Sequence, residues 1–231
     1  LNEEGRAALE AGRHGDARSL FLAARSADPK YLPACTNLGT LALLDPDPSW
    51  AGAILGDCAA TFKNEDVVVY NHASALRRMG DLAAAETSLR RAVTLSHGRP
   101  LELAALNELI LVLTARGNAK EALDLAASSR PHAADTAERA ILLKSIGMAE
   151  LAGGQAAAAA GTLKAAIAGP LPAEPRVDAL VGLGNALEAT GDHTGAVAAF
   201  AEAIASGATG SAQADALRGL GRDKLAGPGG R

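Results

Sequence analysis

Apolar and small residues recur along this chain with the period of a helix, and the recurrence is itself repeated. In Leu180-Val181-Gly182-Leu183-Gly184-Asn185-Ala186-Leu187 they fall at i, i+3, i+4 and i+7, one face of a 3.6-residue period. Gly191-Asp192 interrupts the pattern. A second run follows with Ala196, Phe200 and Ala203 on one stripe. Residues 177–203 therefore predict a helix, a glycine turn and a helix, with small residues where the two helices cross.

The unit returns at fixed distances. The small residue of the first helix aligns as Gly5, Gly39, Ala73, Ile110, Gly147, Gly184 and Gly221, with spacings of 34, 34, 37, 37, 37 and 37. The small residue of the second helix aligns as Ala17, Ala51, Ala85, Ala122, Ala159 and Ala196, with spacings of 34, 34, 37, 37 and 37. Two independent anchors thus share one register. Fixed periods of this size predict stacked helix pairs, none of which buries its apolar face alone. The units read as 1–31, 32–65, 66–102, 103–139, 140–176 and 177–213, followed by a capping helix at 214–226 and a flexible tail at 227–231. From residue 66 onward the longer period places extra residues in loops rich in Pro, Gly, His and Ser. Gly80, Gly117, Gly154 and Gly191 stand where a helix C-terminus often needs a positive φ. Ile110 breaks the small-residue rule, which predicts a fourth pair that is splayed or repacked.

These residues resemble the tetratricopeptide repeat family, whose signature is W-x2-L-G-x2-Y, then A-x3-F, then P. The sixth unit supplies Leu180, Leu183-Gly184, Leu187, Ala196 and Phe200. The fifth supplies Leu143, Ile146-Gly147, Glu150, Ala159 and Leu163. The first supplies Leu1, Glu4-Gly5, Ala8, Ala17, Phe21 and Pro29. The resemblance implies an all-α, right-handed superhelical solenoid of six helix-turn-helix repeats plus a C-terminal capping helix, a single domain over 1–226. It also implies a concave groove lined by the first helix of each pair.

Composition agrees with packing through small side chains. Aromatic residues are 3% of the chain and hydrophobic residues 48%, much of the latter alanine. A net charge of −4 argues against a general nucleic-acid binder. No apolar run approaches the ~18 residues of a membrane-spanning helix. The chain starts at Leu1, without Met and inside the first repeat, which reads as a piece of a longer protein. The compartment, cytoplasmic or periplasmic and cell-envelope, would be decided by what precedes it.

The search for chemistry returns no catalytic residues, no metal site and no cofactor motif: there is no phosphate loop, nucleophile elbow or HExxH. Cys35 and Cys58 read first as two buried thiols. A disulfide between the paired helices is the alternative in an oxidising compartment, and a zinc site with His72 is a third reading that lacks further ligands. His72 stands where Leu is usual and reads as a half-buried core histidine. His14, His97, His132 and His193 lie in turns. In the turn Asp45-Pro46-Asp47-Pro48-Ser49, two prolines separate the helices and Asp47 or Ser49 can cap. Trp50 reads as a packing anchor, with an exposed partner contact as the alternative. Asp135 with Glu138 reads as a capping box. Arg77, Arg78, Arg90 and Arg91 read as two solvated faces.

Counting register along the first helices projects Asn37, Tyr70, Asn71, Arg77, Asn107, Lys144 and Asn185 into the groove, among other residues. Asn37 and Asn71 share a register, like the asparagine ladder of peptide-gripping members of the family. A carboxamide donates and accepts, so it can pair with any peptide backbone. Val67 and Asn71 stand where the family's two-carboxylate clamp has basic residues, so chaperone tails are not expected partners. The reading is a non-enzymatic interaction scaffold or adaptor that binds a peptide segment or helix of a partner. Two others stay open: the docking or regulatory region of a larger enzyme, and a cell-envelope assembly factor similar in repeat number to pilotin-type members. Self-association through the groove or the cap is a further expectation.

Overall fold

The computed structural model describes residues 1–45, 47–129 and 136–226. Among them are thirteen α-helices and no strand. The chain divides into two compact units, Leu1–Val112 and Leu113–Arg231.

In the first unit, α1 (Asn2–Glu10) pairs with α2 (His14–Ala27), α3 (Leu32–Leu44) with α4 (Pro48–Thr61), and α5 (Asp66–Arg78) with α6 (Leu82–Ser96). The unit ends within α7 (Glu102–Ala115). Its core uses the positions that carry the sequence pattern. Phe21 of α2 is fully buried, and its ring lies on Gly5 of α1, where a Cβ would come within 2.5 Å of Cε1. Burying a side chain of this size stabilises by about 2–3 kcal/mol, and a methyl at Gly5 would displace it. Ala51, Ala73 and Ala85 are likewise fully buried at helix crossings.

In the second unit, α8 (Ala119–Ser129) packs on α9 (Thr136–Ala152), α9 pairs with α10 (Ala156–Ile167), α11 (Ala173–Thr190) with α12 (His193–Ala205), and α13 (Gly210–Ala226) closes on α12. Phe200 repeats the role of Phe21. It sits between Gly184 of α11 and Gly219 of α13, and a Cβ on either glycine would clash with its ring. Gly147 of α9 makes the same room for Leu163 of α10. Ile110 of the first unit, where a small residue was expected, is fully buried.

The Gly-Asp turns work in two steps. Gly80 and Gly191 each take φ +83°, a left-handed conformation that ends a helix and that residues with a Cβ rarely adopt. Asp81 and Asp192 then cap the next helix, accepting from the Ala84 and Gly195 amides. Asp47 caps α4 through the Ser49 amide at 2.9 Å, so of the two expected caps it is Asp47 that serves. In α13, Ala216 is buried and Leu220 packs on the core, whereas Leu217 is 54% exposed. The capping box at Asp135, together with His132, Arg130 and the tail 227–231, lies outside the described residues.

Cys35 and Cys58 are bonded, with S–S 2.10 Å and Cα–Cα 5.7 Å. This corrects the reading of two free thiols. Cys35 is near the start of α3 and Cys58 near the end of α4, so an antiparallel pair brings them face to face. Both are buried, among Val68, Leu32 and Phe62. No cluster of His, Cys, Asp or Glu suited to a metal ion occurs among the described residues. No helix described is long and apolar enough to cross a membrane.

Candidate partner-binding face

The first helices carry the candidate residues, and each unit has its own set. In the first unit, Asn37 of α3 is half-buried, and its Nδ2 donates to Asn2 Oδ1 of α1 at 3.0 Å. Asn71 of α5 shares the register of Asn37 but is only 7% exposed. Its amide occupies the space that Gly39 leaves open, where a Cβ would clash with Nδ2. The two carboxamides are therefore not equivalent: one is half-buried on the face, and the other fills a helix crossing.

Tyr70, one residue earlier on α5, is half-buried. Burial pushes its phenol above the ordinary value, and the negative charge of Glu108 adds to the shift. Arg77 meets Glu108 of α7 through two parallel bonds, Nε to Oε2 at 2.6 Å and Nη2 to Oε1 at 3.3 Å. Such a fork holds both side chains in one geometry. The pair joins α5 to α7 and balances the arginine's charge. Asn107, beside Glu108, is half-buried.

In the second unit, Asn185 of α11 is half-buried. Lys144 of α9 is only 7% exposed, so it is not presented as the exposed charge that its register suggested.

Arg90 and Arg91 are exposed, as read, but the reading of Arg77 and Arg78 as a solvated face needs correction. Arg77 is paired as above. Arg78 reaches from α5 to the end of α3, donating to the carbonyls of Ala42 and Leu43 at 3.1 Å each and to that of Asp45. It thereby satisfies the last carbonyls of a helix. The Asp45 carboxylate also pairs with Arg18, whose guanidinium lies 3.8 Å from the centre of the Trp50 ring. Trp50 packs on the core cluster of Phe21 and Leu38, as a packing anchor should. The α3–α4 turn is thus clamped by two arginines from different repeats. A periodicity argument misses this, because an arginine at the end of a helix looks the same in sequence whether it meets water or carbonyls.

His72 is half-buried, and burial lowers its pKa below 6.5. His97 and His193 lie exposed beside Glu102 and Glu188, at 2.8 and 3.1 Å.

A family model described as tetratricopeptide repeat matches residues 2–62, 70–138 and 145–214. Among solved structures, a MamA protein is 22% identical over 71% of this chain and 86% of its own, with a TM-score of 0.58. The pilF protein of Pseudomonas aeruginosa is 14% identical over 97% and 95%, with a TM-score of 0.70. PilW, described as a widely conserved type IV pilus biogenesis factor, is 14% identical over 88% and 90%, with a TM-score of 0.72. At these identities the likeness is one of fold. No curated protein matches the chain. The three matched segments span most of the sequence and contain every anchor residue of the six repeats, and the chain belongs to the tetratricopeptide repeat family.

Proposed function

We propose that this protein is a non-enzymatic interaction scaffold that holds a peptide segment or helix of a partner protein against its first-helix face. The observation that carries the reading is the row of half-buried polar side chains on successive first helices: Asn37 tied to Asn2, then Tyr70, then Arg77 forked onto Glu108 beside Asn107. A side chain already held by its neighbour loses little freedom on binding. The single bond from Asn37 to Asn2 uses only part of a carboxamide's capacity of two donors and an acceptor. Within the first unit, Asn37, Tyr70 and Asn107 are the proposed hydrogen-bonding contacts, with Arg77 supplying a charge balanced by Glu108; Asn185 is the proposed contact of the second unit, taken by itself. Asn71 and Lys144 would act from buried positions, shaping the face.

The test is capture of binding proteins by wild type and by Asn37→Ala/Asn107→Ala/Asn185→Ala, with helical circular dichroism and melting temperature confirming that both are folded. A partner held on the first unit should lose about thirtyfold in affinity, two hydrogen bonds at about 1 kcal/mol each. A partner held equally by both proteins overturns the face.

A second reading, a cell-envelope assembly factor, is favoured by the disulfide. Bonds of this kind persist in oxidising compartments and are rare in the cytosol. The likeness in fold to pilF and PilW, over nearly the whole of those chains, is in keeping with it.

A further inference from the structure

The fifth repeat departs from the chain's own pattern at one buried position. The register held by Ala8, Ala42, Leu76, Leu113 and Leu187 is taken there by Glu150. The residue is only 9% exposed. Its Oε2 is sealed from solvent and has no hydrogen-bond partner. A buried carboxylate oxygen without a donor is unfavourable, and a donor supplied by a ligand would relieve it.

Glu150 also lines a cavity of about 580 Å³ in the second unit, between α8, the end of α9 and the start of α10. Ala126 and Ile146 form apolar wall, while Lys120, Asp124 and Gln155 stand at the exposed rim. A cavity that combines apolar wall with a carboxylate matches a ligand with an alkyl stem and a cationic head. The terminal torsion of a glutamate is soft, so either oxygen can turn toward a donor in the cavity. Asp124 adds negative charge at the entrance.

We propose that this cavity is a second binding site, separate from the first-helix face, which takes an ammonium or guanidinium group on Glu150. The source is the Lys or Arg side chain of a partner segment, or a free alkylamine of the same chemistry. Lys120, which lines the rim, carries the same charge as the ligand, and removing it should tighten binding.

The test uses the full chain with 13C-labelled glutamate, the Glu150 carboxyl resonance being assigned by its loss in Glu150→Gln. The probes are acetyl-Gly-Lys-Gly-amide, acetyl-Gly-Arg-Gly-amide, the norleucine counterpart and n-butylamine. The basic peptides should give saturable shifts at the Glu150 carboxyl and at the Ile146 and Gly153 amides, and norleucine should give none. Affinity should fall at least about tenfold in Glu150→Gln, the scale of one charge-assisted hydrogen bond. It should rise in Lys120→Gln and stay unchanged in Asn37→Ala/Asn107→Ala/Asn185→Ala, which separates this site from the proposed face. Saturation by n-butylamine but not by the peptides keeps the site and assigns it to a small amine. Glu150→Leu restores the residue of the other repeats. It should melt higher than wild type and bind none of the probes, so the question survives a poorly folded Gln variant. Absence of saturable shifts with every probe, equal binding of the norleucine peptide, equal affinity in Glu150→Gln, or a lower melting temperature in Glu150→Leu overturns the proposal.

Discussion

His72 occupies the register held by Leu38, Leu109, Ile146 and Leu183, and its burial favours the neutral ring. The unfolded chain binds the histidine proton near the ordinary value of 6.5, whereas the folded chain binds it only at lower pH. Stability from this residue is therefore complete above 6.5 and is lost as pH falls through 6.5 toward the lowered folded value. His72→Leu should flatten the slope of melting temperature against pH between about 7 and 5 relative to wild type, where histidines titrate. An unchanged slope would mean that other groups set it. The misplaced leucine register made His72 visible in the sequence. The burial of Asn71 was not visible, because it depends on Gly39 of another helix leaving room for the amide. Arg78 was missed for the same kind of reason, since its partners are backbone carbonyls, which carry no residue identity.

Helix pairing puts Cys35 against Cys58 across α3 and α4, 23 residues apart in sequence. Closing a loop of that length restricts the unfolded chain and stabilises the fold by about 3 kcal/mol. The variant Cys35→Ala/Cys58→Ala should melt roughly 6–12 °C lower, and reduction of wild type should lower its melting temperature to a similar extent. If reduction leaves the melting temperature of wild type unchanged, the bond is not formed in the protein. The helix boundaries themselves follow from local chemistry. Glycine at the C-terminus and aspartate at the next N-cap stop one helix and start another at Gly80-Asp81 and Gly191-Asp192. Those signals act within a few residues, which is why they could be read before any packing was known.

For the molecule as a whole, the disulfide bears on where the chain works. Native cells can be quenched in acid, and the protein denatured in an alkylating reagent and run without reductant. The cell-envelope reading expects no free thiol at Cys35 or Cys58. Labelling of both cysteines in most of the molecules would place the chain in a reducing compartment and remove that reading. The test follows the native protein, so it does not depend on which partner is bound.

The sequence alone determined the helix pairs, their glycine turns and the family, because each repeat restates one apolar period and one pair of small residues at a constant spacing. Six restatements leave little freedom to a register. Tertiary structure decided what single polar residues do. The equal spacing of Asn37 and Asn71 concealed one half-buried and one buried amide, and Arg77 acquired its meaning from Glu108, 31 residues away. Glu150 stood in the aligned repeat as a simple departure from the pattern. Only the cavity beside it and the donor that its Oε2 lacks give that departure a consequence. Periodicity reports which face of a helix a residue occupies. What faces it across the gap is set by a different segment of the chain.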